Sequence, residues 1–392
     1  MKSKKNILFV SIANDMYGSS KVLLSLVLQM QKQSKEYHPI VCLPLGEGPL
    51  KDIMKAEGIQ IIEMPVVKLT RSMLKSLNFF GLLRDYFKAK KILKNELKGI
   101  EISSVQSNTL ATMFGALYGV FHKPKHIVHV HEIMDRPKIA SFFFKTVLQW
   151  FSDHIVYNSL ATQQFYNGMS KKIEKKSTLI LNGVDRNEAA TSEELKTEIR
   201  KELFQSTNVE FLIGLVGRIN RLKGHHLLLE AFQEISEKYS NTKLCFVGST
   251  PPNQEFYLTN LQDEVQKLGL TDRVHIVDFQ DNIFAVLESL DLVIVPSTEP
   301  ESFGLIVVEA MLAKRAVIGS DIGGISTVID HNETGILFPP NDKLALANAI
   351  SELLEQSEKK EKIEAKAFQK AVATYSTTAM YKKFNQLYNT KL

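Results

Sequence analysis

The sequence predicts an α/β protein with two doubly wound parallel sheets that face a central cleft. Short apolar runs alternate with amphipathic stretches along the 392 residues, a pattern typical of repeated strand–helix–strand units. The alternation is interrupted once, over the polar residues 186–208, and then restarts. The chain length also fits two domains of ~150–200 residues each better than a single core.

The first half contains seven apolar runs of strand length, as expected for strands that are buried on both faces. In chain order they are NILFVSI, PIVCLP, IQIIEM, ISSVQS, HIVHVH, HIVYNS and STLIL. Helical patterns fall between them, over 19–33, 81–97, 109–120, 138–151 and 159–168. This alternation predicts one parallel sheet with helices on both faces.

The second half repeats the pattern with six strand-like runs. They are FLIGLVGR, KLCFVG, RVHIVDF, LDLVIVPS, RAVIGS and TGILFPP. Helices are predicted between them, over 224–239, 254–268, 304–313 and 342–355. In the first of these helices, Leu228, Phe232 and Ile235 share one apolar stripe. We therefore expect a first domain over 1–185, a second over 186–375 and a final helix over 376–392.

Composition limits the class of protein. Hydrophobic residues make up 44% of the chain and charged residues 23%, which indicates a globular protein. No apolar run reaches the ~18 residues that a membrane span needs. The run Ile7–Ala13 follows lysines but has no small-residue cleavage site, so it predicts a first strand rather than a signal peptide. Cys42 and Cys245 lack metal-ligand spacing, which indicates buried thiols in a reducing compartment and a cytoplasmic protein.

Positive charge is concentrated in residues 68–98, which carry nine basic and two acidic residues, while the whole chain has a net charge of +5. The segment is also rich in large apolar residues, so it predicts a basic amphipathic helix. Such a helix can lie on an anionic membrane surface. It can equally be a solvated helix that packs its apolar side on the first domain. No nucleic-acid recognition motif accompanies the charge, so we expect no nucleic-acid partner.

The segment PESFGLIVVEAM, residues 300–311, carries two carboxylates. It follows a predicted strand and begins a helix near Gly304, where free backbone N–H groups favour a phosphate. Glu301 lies in the loop, and Glu309 lies about one and a half turns into an otherwise apolar helix. A buried carboxylate needs hydrogen-bond donors, which sugar hydroxyls can supply. Alternatively, Glu301 is a solvated loop residue and Glu309 a core acid satisfied by the protein.

The segment VGRINRLKG, residues 216–224, places Arg218 and Lys223 in a turn between a strand and a helix. Two cations in such a turn can neutralise a diphosphate through charge-assisted hydrogen bonds. The segment is neither a Walker loop nor a dinucleotide-binding glycine motif. The alternative is a basic surface turn without a ligand.

Two segments of the first half also end strands. His131, in VHVHEIMD, ends a predicted strand on the side where a cleft would open, although a lone histidine is often structural. In NDMYGSSKVLL, the loop with Gly18 and Ser19 could seat an acceptor or a phosphate with its backbone. The alternative is that Ser19 or Ser20 caps the first helix.

Taken together, these motifs resemble the GT4 family of retaining glycosyltransferases, the glycosyl transferases group 1, whose GT-B fold has two Rossmann-like domains. The resemblance covers nearly the whole chain, and NGVD at 182–185 also matches. It is most specific in FLIGLVGRINRLKGHHLLLEAF, PSTEPESFGLIVVEAMLAKRAVIGSDIGG and ETGILFPPND. It implies an acceptor-binding first domain, a nucleotide-sugar-binding second domain and a final helix that crosses back to the first.

The resemblance also implies roles for the site residues. Glu301 would contact hydroxyls of the donor sugar, and Glu309 those of the ribose. Arg218 and Lys223 would bind the diphosphate and stabilise it as the leaving group. His131 would lie beside the donor sugar. Other donor contacts would come from the backbone N–H groups of Phe303, Gly304 and Leu305 and from a base pocket lined by Val277 to Phe279.

The implied reaction moves a hexosyl unit from a UDP- or GDP-sugar to a hydroxyl of a saccharide or lipid-linked saccharide and retains the anomeric configuration. Bacterial surface polysaccharide synthesis uses such reactions. The family is assigned a front-side route in which the leaving phosphate deprotonates the acceptor. No DxD motif is present, and the two cations take a metal's usual role, so we expect no metal or other cofactor. A lipid-linked acceptor would suit peripheral attachment to the inner face of the plasma membrane.

The sequence departs from the family pattern at two places. The usual Gly-Gly-x-Glu loop reads GSSK at 18–21, which leaves its acceptor or phosphate contact open. Ser302 replaces the glycine of an E-G-F-G motif and could narrow the choice of donor sugar. Two alternatives remain, a nucleotide-sugar epimerase of the same fold and a catalytically silent partner subunit.

Overall fold

The computed structural model describes residues 4–65, 67, 79–121, 124–186, 191–205 and 211–390. The chain divides into two compact units. Unit 1 comprises Met1–Gly183 and Thr377–Leu392, and unit 2 comprises Val184–Ser376. The division therefore falls slightly before the boundary that the sequence suggested at 185, and the final segment groups with unit 1.

Unit 1 contains a seven-stranded sheet in the order β3-β2-β1-β4-β5-β6-β7, with every neighbouring pair parallel. Its strands are β1 (Lys5–Val10), β2 (Tyr37–Pro44), β3 (Gln60–Met64), β4 (Ile102–Ser107), β5 (Lys125–Val130), β6 (His154–Tyr157) and β7 (Ser177–Leu179). Each of the seven predicted runs forms one strand. The strand order reverses between β1 and β4, so the loops after these strands flank a topological switch point.

Seven helices are described in the first part of unit 1. They are α1 (Gly18–Gln33), α2 (Pro49–Ala56), α3 (Phe79–Glu96), α4 (Met113–Phe121), α5 (Lys138–Phe151), α6 (Leu160–Asn167) and α7 (Lys171–Glu174). Helices α2 and α7, which are short, were not predicted from the sequence. None of the helices within the described ranges is long and apolar enough to cross a bilayer.

The basic segment 68–98 is described only in part. Residues 68–78 lie outside the described residues, and the remainder forms α3 and the turn after it. One side of α3 is buried in the core of unit 1, where Tyr86, Ala89 and Leu93 pack. Leu83 and Phe87, on an adjacent side of the helix, are exposed. The segment therefore combines a core-packing side with an exposed apolar side.

Unit 2 contains a six-stranded parallel sheet in the order β10-β9-β8-β11-β12-β13. Its strands are β8 (Phe211–Val216), β9 (Thr242–Val247), β10 (Val274–Val277), β11 (Leu292–Val295), β12 (Val317–Ser320) and β13 (Ile336–Phe338). All six predicted runs form strands here, which confirms two doubly wound α/β domains. The order reverses between β8 and β11, and this pair defines the switch point of unit 2.

The helices of unit 2 cover both faces of its sheet. They are α8 (Glu193–Glu202), α9 (His225–Ser236), α10 (Phe256–Lys267), α11 (Ile283–Ser289), α12 (Leu305–Leu312), α13 (Ile325–Val328), α14 (Lys343–Glu355) and α15 (Ser357–Thr374). The predicted stripe of α9 is buried in the core, including Leu228 and Phe232. Helices α8, α11, α13 and α15 were not predicted from the sequence.

The last described helix, α16 (Thr377–Asn389), packs within unit 1. The Gln29 amide donates a hydrogen bond to Thr377 Oγ1 at 2.9 Å, which joins α1 to the start of α16. Near its end, the Tyr388 hydroxyl donates to Gln106 Oε1 at 2.5 Å. Phe384 is fully buried, with its ring centroid 5.1 Å from that of His129. The final helix is therefore part of the core of unit 1.

The two cysteines lie in separate units. Cys42 is in β2, Cys245 is in β9, and both are buried free thiols, as predicted. Burial raises the pKa of the Cys42 thiol well above its ordinary value. A buried, protonated thiol is a poor nucleophile, so Cys42 acts as a small core residue.

Candidate functional site

The basic turn after β8 is fixed at the switch point of unit 2. The side-chain oxygen of Asn220 accepts the backbone N–H groups of Leu222 and Lys223 at 3.0 and 3.2 Å, which caps a short 3₁₀ turn, Arg221–Lys223. Gly224 then begins α9 with φ of 75°, and a Cβ there would overlap the carbonyl oxygen of Pro296. Glycine is required at this position, since both the backbone angle and the close approach exclude a side chain.

Within unit 2, the turn brings Lys223 into contact with Glu301. Lys223 Nζ lies 2.8 Å from Glu301 Oε1, and the Ser297 hydroxyl donates to the same oxygen. Burial alone would raise the pKa of Glu301, but the charge of Lys223 and the two hydrogen bonds outweigh it and lower that pKa. The two side chains therefore form an ion pair after the carboxyl ends of β8 and β11.

Further contacts join the turn to the loop after β11. The Thr298 backbone N–H donates to the carbonyl oxygen of Leu222 at 2.9 Å, and its hydroxyl donates to that of Arg221 at 3.0 Å. Arg221 also pairs with Glu299, although both of these side chains are largely exposed. Arg218, the other predicted cation, is exposed at the start of the same turn. The two loops thus form one rigid element at the edge of the sheet.

The loop that leads into α12 packs against a pair of glycines that follow β12. The Gly324 N–H donates to the carbonyl oxygen of Glu301 at 2.6 Å. A Cβ on Gly323, whose φ is 62°, would lie only 2.6 Å from that oxygen. This glycine pair has no role among those predicted from the sequence. Its position directly after a strand next to β11 is the signal that could have identified it.

The predicted donor-binding residues of α12 begin at this support. Gly304 is the N-cap residue and Leu305 the first helical residue. Phe303 is buried, with its ring centroid 5.7 Å from that of Tyr375. Glu309 is only 7% exposed, so it is not a solvated residue. The helix that carries Glu309 therefore begins at the same edge of the sheet as the Lys223–Glu301 pair.

The predicted base pocket lies at the end of β10. The Gly248 N–H donates to the carbonyl oxygen of Val277 at 2.8 Å, which aligns the ends of β9 and β10. Phe279 follows, and its N–H donates to the Ser249 hydroxyl at 3.2 Å. The Phe279 side chain is 54% exposed. Val277 and Phe279 are therefore placed on the same carboxyl edge of unit 2 as the basic turn, with β9 between them and β8.

In unit 1, His131 follows the end of β5. It is 8% exposed, and its ring centroid lies 4.0 Å from that of His129. Burial lowers the pKa of His131 to about 3, so the imidazole is neutral at physiological pH. Its Nε2 is buried and has no hydrogen-bond partner among the described residues. The structure therefore places a neutral ring with an unsatisfied nitrogen directly after the end of β5.

The residue after His131 was missed by the sequence analysis, although it is visible in VHVHEIMD. Glu132 Oε2 accepts the backbone N–H groups of His131 and Leu110 at 3.2 and 3.3 Å. Burial raises the pKa of this carboxyl to about 7, against the opposing effect of its hydrogen bonds. Glu132 thereby links the loop after β4 to the loop after β5.

The loop with Gly18 and Ser19 lies at the switch point of unit 1. The Asn108 amide, just after β4, donates to the Ser19 carbonyl oxygen at 3.1 Å. Tyr17, rather than Ser19 or Ser20, occupies the N-cap position of α1. The Ser20 hydroxyl instead donates to Asp15 at 3.0 Å. The loop is thus tied across the switch point rather than only to its own helix.

The structure therefore groups the predicted site residues by unit. In unit 2, the Lys223–Glu301 pair, Arg218, residues 277–279 and the start of α12 occupy one sheet edge. In unit 1, His131 and residues 18–19 follow the ends of β5 and β1. Over the part of the chain that the structure describes, no group of three or more histidine, cysteine or acidic residues is placed to hold a metal ion.

Two curated proteins illustrate which sequences are similar to this chain. The alpha-D-kanosaminyltransferase of Streptomyces kanamyceticus is 26% identical over 241 residues, which cover 59% of this chain and 61% of the relative. The N-acetyl-alpha-D-glucosaminyl L-malate synthase of Bacillus anthracis is 34% identical over 162 residues, which cover 41% of this chain and 40% of that enzyme. The chain thus spans about half the length of these relatives.

Comparison of structures and of family models identifies the fold and the family. The Anabaena protein HepE, solved in complex with UDP and glucose, matches with a TM-score of 0.83 at 22% identity, over 98% of this chain and 99% of HepE. At this identity the likeness concerns the fold alone, which is GT-B. Residues 196–370 match the model described as Glycosyl transferases group 1. The resemblance seen in the sequence is thereby confirmed, since residues 196–370 match the group 1 glycosyltransferases and the chain has the GT-B fold.

Proposed function

We propose that this protein is a retaining glycosyltransferase that moves a hexosyl unit from a UDP- or GDP-sugar to a hydroxyl of a saccharide or lipid-linked saccharide. The observation that carries the proposal is the Lys223–Glu301 ion pair, which lies beside Arg218 at the switch point of unit 2. Ligands of open α/β sheets bind at such points. HepE, which shares the fold, was solved with UDP and with UDP-glucose, which supports a nucleotide-sugar donor.

In the proposed reaction, the bond between the anomeric carbon and the pyrophosphate oxygen breaks, and negative charge develops on the pyrophosphate. Lys223 and Arg218 stabilise that charge. The Lys223 ammonium has three N–H donors, so it can keep its bond to Glu301 and still donate to a phosphate oxygen. Because the ion pair already fixes its position, little reorganisation is needed as the charge develops.

The acceptor hydroxyl forms the new bond to the anomeric carbon on the face that the pyrophosphate leaves. Its proton passes to a leaving phosphate oxygen, so no protein base is needed and the anomeric configuration is retained. Glu301 contacts the hydroxyls of the donor sugar, and its charge stabilises a developing positive charge at the anomeric carbon. Because the two cations supply the positive charge for the leaving group, the reaction proceeds without a metal.

The remaining residues bind the substrates. In the proposal, Glu309 accepts from the ribose hydroxyls, and the N–H groups at 303–305 donate to phosphate. Val277 and Phe279 line the base pocket, and His131 and residues 18–19 contact the donor sugar and the acceptor or phosphates. Several of these residues lie on one edge of the unit 2 sheet, where a single nucleotide-sugar can reach them.

A donor screen tests the proposal. UDP, GDP and their sugars are first compared by thermal shift, because a bound ligand raises the unfolding temperature. The stabilising donor is then incubated with saccharide and lipid-linked acceptors, and the anomeric configuration of the product is read by NMR. We expect stabilisation by one nucleotide series and a product that keeps the donor's configuration. Inversion, or a lack of stabilisation by any nucleotide, would contradict the proposal.

The same experiment separates the alternatives. Conversion of the donor sugar without an acceptor would indicate a nucleotide-sugar epimerase. Nucleotide binding with neither transfer nor hydrolysis of any donor would indicate a catalytically silent partner subunit. The presence of Arg218, Lys223, Glu301 and Glu309 argues against the silent subunit.

A further inference from the structure

Helix α5 exposes large apolar side chains, although its other side is also apolar. Phe144 and Leu148 are buried against the sheet of unit 1. Three large residues on the remaining surface of the helix are left in solvent. They are Ile139, Phe142 and Trp150, which are 78, 70 and 62% exposed. We call these three residues the α5 outer face. Contiguous exposed apolar residues of this kind mark interaction sites.

The α5 outer face is surrounded by positive charge. Helix α5 carries Lys138 and Lys145 and no acidic residue. Across residues 135–176 the sequence has seven basic and three acidic residues. Lys172 Nζ lies 4.1 Å from the centroid of the Trp150 ring, so a lysine ammonium is directly adjacent to the indole ring. The combination is apolar at its centre and basic at its rim.

Helix α3, on the far side of α4, extends this surface. It exposes Leu83 and Phe87, which are 48 and 63% exposed. Helix α3 packs on Val105 and α5 packs on Val128. Ser107 pairs with Val128 in the sheet register and lies two residues after Val105, so both valines point to the same face of the sheet. Helices α3 and α5 therefore belong to one helix layer, with exposed apolar residues on each.

Positive charge also extends across this helix layer. Within its described range, α3 has five basic residues, Arg84, Lys88, Lys90, Lys91 and Lys94, against Asp85 and Glu96. Between the two helices, α4 is tied to α3 by the Tyr86 and Phe114 rings, whose centroids are 5.7 Å apart. Both exposed apolar groups are therefore embedded in a positively charged surface.

We propose that this helix layer of unit 1 docks on an anionic phospholipid bilayer, with the α5 outer face inserted at the headgroup level. Tryptophan and phenylalanine favour the boundary between headgroups and acyl chains. Lysines around them attract anionic lipids and keep their ammonium groups in water while their stems contact apolar groups. An uncharged apolar partner would complement the aromatic residues but would leave the basic rim without counter-charges.

The inference goes beyond the proposed function and does not depend on it. If both hold, a lipid-linked acceptor would be reached at the surface on which the protein is docked. Loss of bilayer binding would leave nucleotide binding unaffected, and a failed transferase assay would leave bilayer binding unaffected. The two failures are therefore distinguishable.

The chain contains one tryptophan, Trp150, so intrinsic tryptophan fluorescence reports on the α5 outer face alone. The full-length protein is titrated with vesicles of phosphatidylglycerol and phosphatidylcholine, and with vesicles of phosphatidylcholine only. We expect a blue shift of the emission and quenching by brominated lipids with the anionic vesicles. Co-sedimentation with these vesicles should weaken as salt is added, because the attraction is screened.

Variants test whether the named residues make the contact. Ile139→Ser with Phe142→Ser leaves Trp150 as the reporter and changes only exposed side chains. We expect this variant to bind anionic vesicles at least about tenfold more weakly, and Lys138→Glu with Lys145→Glu to lose binding similarly. The matched control is Phe256→Ser, at a residue that is 53% exposed in unit 2 and should not affect vesicle binding.

Three outcomes would overturn the inference. The first is that Trp150 fluorescence does not change with anionic vesicles. The second is that the Ile139/Phe142 variant binds these vesicles as well as the unaltered protein does. The third is a dimer in solution that the same variant dissociates, without vesicle binding, which would assign the α5 outer face to a second copy of the chain. A circular dichroism spectrum and a urea unfolding curve that match those of the unaltered protein would show that the variants remain folded.

Discussion

Lys223 Nζ lies 2.8 Å from Glu301 Oε1, so the cation proposed to receive the pyrophosphate is held by the acid proposed to contact the donor sugar. The two residues are 78 positions apart in the chain and meet because β8 and β11 are neighbours in the sheet. The Ser297 hydroxyl, near the start of the loop after β11, donates a hydrogen bond to the same carboxylate oxygen. The charges at this edge are therefore in place before any ligand arrives.

The first prediction concerns Lys223. Lys223→Ala removes one cation of the proposed leaving-group site and leaves Glu301 without its charge partner. We expect transfer to fall by about 10²–10³-fold, the usual effect of losing one preorganised electrostatic contact. The measurement is the initial rate of transfer with the donor found in the screen.

Arg221→Ala is the matched control for Lys223→Ala. Arg221 belongs to the same turn and also pairs with an acid, Glu299, but the two side chains are 66 and 42% exposed. Exposed pairs contribute little, so the rate should stay within about twofold of the original. An equal loss of transfer rate in both variants would show that the reaction depends on the total positive charge of the turn. That result would contradict the specific role given to Lys223.

The second prediction separates binding from catalysis at Glu301. Glu301→Ala should lower kcat more than it weakens nucleotide affinity, because the proposed contact is with the sugar rather than with the nucleotide. Steady-state kinetics give kcat, and calorimetry with the nucleoside diphosphate gives the dissociation constant. Glu299→Ala, two residues earlier and exposed, serves as the control. If kcat and affinity fell equally, Glu301 would be a binding residue only.

The third prediction concerns the backbone at Gly224. Gly224→Ala should reduce the free energy of unfolding by ~3 kcal/mol or more, because it adds both an unfavourable φ and an overlap with Pro296. Urea unfolding measures the change. Gly269→Ala is the control, since Gly269 has a φ of 67° but no atom within 4 Å of the added Cβ. The free energy of unfolding of Gly269→Ala should fall by only ~1–2 kcal/mol. An equal loss in both variants would show that the approach of Pro296 to Gly224 does not add to the cost.

The fourth prediction concerns pH. Burial lowers the pKa of His225 to about 3 and that of His126 to about 4, whereas an unfolded histidine titrates near 6.5. Between these values the unfolded chain binds more protons than the folded chain. The free energy of unfolding therefore decreases as the pH falls below about 6.5, and the contribution of these histidines to stability is complete only above that pH. Glu132 acts oppositely, because its pKa is raised to about 7, and its contribution decreases as the pH rises from about 4.5 to 7.

Urea unfolding at about pH 7.5 and about pH 5 measures the sum of these effects. We expect lower stability at the acid pH, since His126, His129, His131, His154 and His225 all have lowered pKa values. His225→Leu should reduce the difference between the two pH values. An unchanged or reversed difference in the unaltered protein would contradict the assignment of neutral, buried imidazoles.

The fifth prediction concerns the final helix. Phe384 is fully buried in unit 1, so Phe384→Ala should lower the free energy of unfolding by ~3–5 kcal/mol. The control is Phe256→Ala, at an exposed position in unit 2, where the loss should be small. A small loss in both variants would show that the last helix contributes little to the core of unit 1.

Much of the fold could be predicted because the strands are long enough to be continuous apolar runs. LDLVIVPS, for example, contains β11, which is buried throughout. Helix α15 was missed for the opposite reason. Its buried residues Ile363, Ala367 and Ala371 follow helical spacing, but two of the three are alanines among many charged residues, so the apolar stripe is weak. That the two sheets face a central cleft stays a prediction.

The site could be predicted only in part. Conspicuous residue types, such as Lys223 and Glu301, were found, but their contact depends on which strands are neighbours. The support of Glu301 by Gly324 is a backbone hydrogen bond between segments about twenty residues apart, and no side-chain pattern predicts it. Glu132 was overlooked because its environment, rather than its residue type, sets its properties.

The position of α16 has a consequence for biosynthesis. The sheet of unit 1 leaves the ribosome first, but Phe384 and Tyr388, which cover His129 and Gln106, are translated only after the whole of unit 2. Part of the interior of unit 1 therefore stays uncovered until the last helix has been synthesised. Apolar surface that is exposed in this way makes a growing chain prone to aggregate. Chaperone dependence during translation should accordingly be greatest for the half of the protein that is made first.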